Sequence, residues 1–224
     1  ESAVAGRLDL RDKVMITIDG ASSKDLDDAV SLERDGLGRW VLGVHIADVS
    51  HYVRPGSALD LEAWERGTSV YFADQVVPML PRELSNGICS LNPRVDRLAL
   101  SCVMTLTPEG EVVDHTVAKS VIRTTERMTY EDCNALLAHS DPALAERYAR
   151  ILPMLEDMAA LSRVLEGRRR RRGALELDTR ESYVVCDESG TPVDVVLRTP
   201  GISEGLIESF MLAANECVAE WLAD

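Results

Sequence analysis

Four aspartates lie close together near the beginning of the chain, and their type and spacing suggest chemistry more directly than any other feature. These residues, called the acidic cluster below, are Asp19, Asp25, Asp27 and Asp28, and Lys24 is the one basic residue between them. Carboxylates this close together repel each other unless they are solvated, protonated or bound to a cation. Mg²⁺ suits such a group, because it prefers oxygen ligands and is usually held by carboxylates together with waters and a substrate phosphate. The acidic cluster is therefore a candidate metal site for chemistry on phosphodiesters.

Two other interpretations of the acidic cluster follow from the residues alone. An EF-hand loop starting at Asp19 would place Lys24 where the invariant glycine belongs and Val30 where the bidentate glutamate belongs, so that calcium loop does not fit. An exposed acidic turn, in which Asp and Ser side chains bind nearby backbone donors, is the commoner role of an acid-rich loop. Spacing alone leaves the choice between a turn and a metal site open.

The segments around the acidic cluster are predicted to form a sheet. Short runs of apolar and β-branched residues bounded by turn-forming residues are typical of buried strands. Such runs cover residues 15–18, 29–33, 40–46, 97–106 and 111–122. The Thr-Pro-Glu-Gly sequence at 107–110 is typical of a hairpin connection between the last two. The acidic cluster is thus expected in the loop between the first two strands.

Helices are predicted beyond residue 128, because the apolar residues there recur every three or four positions. Asp141 followed by Pro142 is typical of an N-cap and the first helical position. Pro153 is expected to kink the long helix that follows. Gly173 comes just after the arginine run at 168–172, where that helix is expected to end.

The last part of the chain completes the predicted fold. A second hairpin is expected over residues 183–185 and 193–197, followed by an amphipathic helix over 203–222. No internal repeat or low-complexity linker divides the sequence. We therefore predict one α+β domain over residues 1–224, in which a mixed or antiparallel sheet packs against helices.

The composition is that of a folded protein with an acidic surface. The chain has 224 residues, of which 46% are apolar and 28% charged, and its formal net charge is −14. It contains no apolar run of the roughly 18 to 20 residues that cross a bilayer and no leader sequence, so a soluble, cytoplasmic protein without a membrane partner is expected. The negative charge argues against extensive contacts with nucleic acid. Metal ions bound at a carboxylate site would offset part of that charge locally.

Cysteine and histidine form no recognisable disulfide or zinc pattern. The five cysteines are widely spaced, without a Cys-x-x-Cys pair, which favours buried free thiols. His45 and His51 flank Asp48, but neither a Cys partner nor His-Glu-x-x-His spacing accompanies them. Structural roles are therefore expected for both histidines.

Residues 17–28 resemble the metal-binding signature of the ribonuclease II/ribonuclease R family. In that signature one aspartate is followed by others six, eight and nine positions later, and the acidic cluster matches all four positions. Further similarity lies at 44–49, 67–71, 77–91 and 97–101, and weaker similarity at 172–175 and 206–215. The resemblance thus covers nearly the whole chain, but only part of the family's protein.

This resemblance implies the N-terminal part of an RNB-type catalytic domain, without the family's flanking RNA-binding barrels and its later Ser-Pro-Ile-Arg-Arg-Tyr block. The implied activity is that of an Mg²⁺-dependent 3′-to-5′ exoribonuclease, which hydrolyses single-stranded RNA from its 3′ end and releases nucleoside 5′-monophosphates. The alternative is a non-catalytic fragment or degenerate family member that binds RNA or protein. Self-association of the truncated chain through exposed apolar surface is also expected.

The resemblance assigns roles to individual residues. All four members of the acidic cluster would hold one or two Mg²⁺ ions, and Asp27 and Asp28 would also take part in catalysis. Tyr71 would stack on the terminal base, whereas the alternative is a half-buried strand tyrosine with a hydrogen-bonded hydroxyl. Leu177 stands where the family tends to carry a second aromatic, which together with the first forms a clamp around the terminal base. A weaker base clamp is therefore expected in this chain.

Two features of the helical part are also candidates for RNA contact. Glu208 lies seven residues before Asn215, so both share one face of the last predicted helix, and Glu208 is expected to bind substrate. A solvated or capping role is the alternative for this glutamate. The arginines at 168–172 are candidates for phosphate contacts, or they form a solvated helix end favoured by the helix dipole.

Overall fold

The computed structural model describes residues 3–73, 75–175 and 181–223. Its strands are β1 (Leu8–Asp9), β2 (Ile16–Asp19), β3 (Asp28–Arg34), β4 (Trp40–Ala47), β5 (Val70–Tyr71), β6 (Val76–Val77), β7 (Asp96–Leu106), β8 (Val112–Arg123), β9 (Glu126–Thr129), β10 (Glu181–Cys186) and β11 (Pro192–Arg198). Its helices are α1 (Val49–Tyr52), α2 (Ala58–Arg66), α3 (Tyr130–Leu137), α4 (Pro142–Arg147), α5 (Leu152–Arg171) and α6 (Ile202–Ala223), and a π-helical segment covers Glu83–Ile88.

Seven strands form the main sheet, in the order β1-β8-β7-β4-β3-β2-β9. The neighbours from β2 through β3, β4 and β7 to β8 pair antiparallel, whereas β1 pairs with β8 and β9 with β2 in parallel. The mixed sheet and its helices confirm the predicted α+β class. The remaining four strands form two separate hairpins, β5-β6 and β10-β11.

Helices α3 to α6 pack over one face of this sheet. Strand residues alternate between the two faces, so the apolar positions of β2, β3, β4 and β7 point towards the helices. Leu155 and Met158 of α5 and Phe210 of α6 are fully buried against them. This main core holds the sheet in a fixed shape, so the loops at its ends have defined positions.

A second, smaller apolar cluster stabilises the region that carries the acidic residues. It contains Leu26, which lies between two of the four aspartates and is 1% exposed. Leu26 packs with Met15, Leu91 and Ile122, among others. The loop of the acidic cluster is therefore not a freely solvated turn, because its central residue is part of a core.

Most predicted helix ends are confirmed, but the predicted kink at Pro153 is wrong. Asp141 caps α4 by accepting hydrogen bonds from the backbone N–H groups of Ala143 and Leu144, and Gly173 follows α5 with a φ of 94°. Pro153 lies in the first turn of α5, where its missing N–H costs no helical hydrogen bond. The chain turns before α5 begins, and the proline marks that beginning.

Within the residues that the structure describes, none of the helices combines the length and the hydrophobicity that crossing a bilayer requires.

Candidate functional site

The acidic cluster lies where β2 ends and β3 begins. Asp19 is the last residue of β2, Asp28 is the first residue of β3, and Asp25 and Asp27 belong to the loop between them. Because β2 and β3 are antiparallel neighbours, their connected ends lie side by side. The fold thus gathers at one end of the sheet the residues that the sequence spacing had grouped.

The carboxyl groups of the acidic cluster influence each other's ionisation. Burial, followed by repulsion from the nearby Asp28 carboxylate, raises the pKa of Asp19 to about 7. Burial also raises the pKa of Asp27 to about 6, with Asp25 as the next cause, and burial raises the pKa of Asp28. Partly buried carboxylates that repel each other in this way favour bound protons or a bound cation.

One carboxylate oxygen in the cluster lacks a hydrogen-bond partner. Asp19 Oδ2 is buried and has no hydrogen-bond partner, an arrangement that a cation would satisfy. In the described part of the chain, no three His, Cys, Asp or Glu side chains lie in an arrangement that could hold a metal ion together. Mg²⁺ does not require one, because it usually takes one or two carboxylates and completes its coordination with water and substrate phosphate. The donor set therefore fits Mg²⁺, and Mg²⁺ binding stays a prediction.

Metal-free protein should lose stability through Asp19 as the pH rises from about 4 to about 7. The folded-state pKa of Asp19, about 7, lies above the ordinary value of 3.8. Between these two pH values the unfolded chain has lost this proton while the folded protein still binds it, so stability falls with pH until the folded protein loses the proton as well. Urea midpoints measured in EDTA should fall with pH, and Asp19→Asn should flatten that slope. Identical slopes for wild type and variant would contradict the assignment. Added Mg²⁺ should restore the wild-type midpoint at the higher pH.

An open cleft of about 580 Å³ adjoins the acidic cluster. Asp25 lines this cleft. Two aromatic side chains, Tyr71 and Phe72, and two cationic side chains, Lys24 and Arg82, line it as well. Tyr71 is 67% exposed, and its hydroxyl donates a hydrogen bond to Asp25 Oδ2 at 3.4 Å. Tyr71 is thus a strand tyrosine with a hydrogen-bonded hydroxyl, as in the alternative, but it is not half-buried, and its stacking on a base stays a prediction.

Three residues near the cluster were not singled out by the sequence analysis. Phe72 is 55% exposed beside Tyr71, and two adjacent aromatics at the end of a short strand were a usable signal. Arg82 lines the cleft and donates from Nη2 to the Val76 carbonyl at 3.3 Å, a placement that no sequence pattern predicts. Arg127 of β9 donates to the carbonyls of Ala21 and Ser23 at 3.0 and 2.7 Å, which depends on the β2-β9 pairing.

Glu208 is placed elsewhere in the fold. It lies on α6, its side chain is 66% exposed, and it accepts a hydrogen bond from Arg169 Nη1 of α5 at 3.3 Å. Asn215, on the same helix, lines a small separate cavity with Ile46 and Leu100. The structure does not bring Glu208 to the cleft beside the acidic cluster, and its contact with substrate stays a prediction.

The histidines have structural surroundings, as expected. His45 is buried, with Nδ1 at 2.7 Å from Ser101 Oγ and Nε2 at 3.1 Å from Ser31 Oγ, and burial lowers its pKa to about 4. Asp48 accepts a hydrogen bond from Arg7 at 2.6 Å in a buried ion pair. The two serine contacts give His45 a structural role in the sheet.

The arginine run faces carboxylates of α6 as well as solvent. Arg169 pairs with Glu208, and Arg172 forms two hydrogen bonds to Glu216 at 2.9 and 3.3 Å. These pairs neutralise part of the run, so contact with RNA phosphates stays a prediction for this segment. Leu177, expected to weaken the base clamp, lies outside the described residues.

The chain belongs to the RNB family, since the sequence model of the RNB domain matches residues 7–224. It is 54% identical over 219 residues to ribonuclease R 1 of Lactococcus lactis, covering 98% of this chain and 27% of that protein. It is 51% identical over 218 residues to ribonuclease R of Thermotoga maritima, covering 97% of this chain and 30% of that protein. These findings confirm the resemblance noted from the sequence.

A solved structure shares the whole fold described above. Mycoplasma genitalium RNase R in complex with ribose-methylated single-stranded RNA superposes with a TM-score of 0.90 and 33% sequence identity, covering 98% of this chain and 34% of that one. The chain therefore spans about a third or less of the proteins it matches. Most residues of those longer proteins have no counterpart in this chain.

Proposed function

We propose that this chain is part of a hydrolytic 3′-to-5′ exoribonuclease that uses Mg²⁺ to release nucleoside 5′-monophosphates from the 3′ end of single-stranded RNA. The observation that carries the proposal is the acidic cluster beside a cleft with exposed aromatics. In this cluster Asp19 and Asp27 have raised pKa values, and Asp19 has an unpartnered buried oxygen. The similarity to ribonuclease R proteins supports the same activity.

The residues at the site would have different roles in such a reaction. The acidic cluster would hold the metal, and Mg²⁺ when bound supplies an activated water and stabilises charge on the transferring phosphoryl group. Tyr71 and Phe72 present accessible rings on which bases stack without regard to sequence. Lys24 and Arg82 line the same cleft and offset the negative charge of a bound phosphate.

The competing proposal is a non-catalytic module that binds RNA or protein. A module without chemistry gains nothing from four clustered carboxylates that repel each other, and it would be more stable without them. Their presence at the sheet end, together with the accessible cleft, favours the enzyme.

A short RNA labelled at its 3′ end tests the activity directly. With Mg²⁺, the full-length protein should release the label as a mononucleotide before shorter internal products appear, and EDTA should stop the release. Release of labelled fragments longer than a mononucleotide would indicate endonucleolytic cleavage and contradict the proposed direction. An RNA whose terminal ribose is blocked provides the control for entry at the 3′ end.

We also propose that the protein works in the cytoplasm. All five cysteines are free thiols, and four of them are buried. Free thiols persist in a reducing compartment, whereas disulfides are the usual pattern in secreted proteins. RNA as the proposed substrate fits the same compartment.

The 224-residue chain on its own should self-associate. Leu212, Trp221 and Leu222 of α6 are 37%, 50% and 71% exposed, and exposed apolar surface of this kind favours contact between copies. Sedimentation velocity at micromolar concentration should show a dimer or larger species, and Trp221→Glu should shift the distribution towards monomer. A wild-type chain that sediments as a monomer at that concentration would refute this expectation.

A further inference from the structure

Leu26 makes the loop of the acidic cluster unusual. Its side chain is 1% exposed and packs with Met15 and Leu91, although both of its neighbours in sequence are aspartates. The loop therefore bends into the protein at residue 26. Asp25 and Asp27 flank this fixed point, so the position of the Leu26 backbone determines the positions of the backbone atoms from which both aspartate side chains extend.

The backbone around Leu26 is held by Ser90 and Leu91. Ser90 Oγ accepts a hydrogen bond from the Leu26 N–H at 3.1 Å and donates one to the Lys24 carbonyl at 3.0 Å. The Leu91 N–H donates to the Leu26 carbonyl at 2.8 Å. Ser90 is 0% exposed, so water cannot replace its hydroxyl without rearrangement. One buried side chain thus fixes the two peptide groups on either side of Asp25.

Ser90 is itself tied to the sheet. Arg97, in β7, donates from Nε to the Ser90 carbonyl at 2.8 Å and from Nη2 to the Gly87 carbonyl at 3.2 Å. Since β7 is an inner strand of the main sheet, the segment that carries Ser90 is attached to a rigid part of the fold. The hydrogen bonds therefore connect the sheet to the loop of the acidic cluster through Arg97 and Ser90.

We propose that Ser90 is a positioning residue that sets the placement of Asp25 and Asp27 for Mg²⁺, an inference that rests on the proposed function. Ser90 does not touch metal or RNA in this role. Its hydroxyl holds the peptide groups of Lys24 and Leu26 so that the two carboxylates keep a spacing suited to one ion. Without the hydroxyl, the carboxylates remain but the loop loses its anchor and the ligands are less well arranged before binding.

Ser90→Ala in the full-length protein tests this proposal, with Ser120→Ala as matched control. Ser120 is equally buried and its Oγ hydrogen-bonds to Ser101 Oγ at 2.6 Å and to the Ala99 carbonyl at 3.3 Å, without contacting the loop. Partners that orient metal ligands typically contribute 10- to 100-fold in affinity, so Ser90→Ala should raise the Mg²⁺ concentration for half-maximal thermal stabilisation by about tenfold or more. Ser120→Ala should leave it unchanged.

Two further measurements separate positioning from general stability. Hydrogen exchange of peptides covering residues 20–30 should accelerate in Ser90→Ala but not in Ser120→Ala, because only the first variant frees the Leu26 N–H. In the RNA assay, Ser90→Ala should need more Mg²⁺, while KM for RNA at saturating Mg²⁺ should stay near the wild-type value. Ser90→Cys has a similar volume and a weak S–H donor, and should give an intermediate Mg²⁺ requirement even where Ser90→Ala does not fold.

The outcomes are distinct. Equal Mg²⁺ requirements for wild type, Ser90→Cys and Ser90→Ala, or an equal increase in Ser90→Ala and Ser120→Ala, would overturn the positioning role while leaving the nuclease proposal intact. A wild-type protein that binds Mg²⁺ but does not cleave RNA would refute the proposed function. The thermal titration and hydrogen exchange would then still decide whether Ser90 places the metal ligands.

Discussion

Asp27→Asn in the full-length protein should lower the rate of RNA hydrolysis by about 10³-fold, because a metal ligand that loses its charge forfeits several kcal/mol of transition-state stabilisation. Asparagine keeps the size of the side chain and removes the negative charge, so the fold should be retained. Removing one of several repelling, partly buried carboxylates should even raise the stability of the metal-free protein. Initial rates of mononucleotide release at saturating RNA, together with Tm, measure both effects.

Asp114→Asn is the control for this loss. Asp114 is an exposed residue of β8, and the same chemical change there should leave the rate within about twofold, since surface substitutions away from a site have small effects. Equal product formation by wild type and Asp27→Asn would end the catalytic interpretation of the acidic cluster. A parallel loss in both variants would show that the assay responds to something other than the site.

Tyr71→Ala should raise KM for RNA by about 5- to 150-fold, because stacking of a base on an aromatic ring contributes about 1–3 kcal/mol. The ring is 67% exposed at the cleft beside Asp25, so its removal takes away a contact surface and leaves no buried cavity. The expected result is weaker binding with little change in Tm. Steady-state kinetics on a short unstructured RNA, with Mg²⁺ saturating, gives KM and kcat separately.

Tyr71→Phe and Tyr183→Ala separate the possible causes. Tyr71→Phe keeps the ring and loses only a 3.4 Å hydrogen bond to Asp25, so its KM should stay within about threefold of wild type. Tyr183 is 52% exposed on the separate β10-β11 hairpin, and Tyr183→Ala should change KM little. If Tyr71→Phe lost as much affinity as Tyr71→Ala, the hydroxyl and not the ring would carry the contact.

Much of the site was readable from the sequence because its features are local. The four aspartates lie within ten residues, so any fold that turns between two strands keeps them near each other. Runs of apolar and β-branched residues predict the strands on both sides. Asp141 marks a helix start because its side chain caps the backbone N–H groups, and Gly173 marks a helix end because it adopts a positive φ. Tyr71 was found through its place in a block of family similarity.

The tertiary structure alone decided which distant residues serve the site. Ser90 is 64 residues from Leu26, and nothing in its neighbours indicates that its hydroxyl holds that backbone. Glu208 lies in a block similar to the family, yet packing of α5 against α6 pairs it with Arg169. Likewise, packing of Leu26 into a core gives the acid-rich loop a defined structure, and burial of Asp19 and Asp27 raises their pKa values. Local spacing determined which groups can do chemistry, whereas long-range packing determined their desolvation and placement, because both depend on neighbours that are remote in sequence.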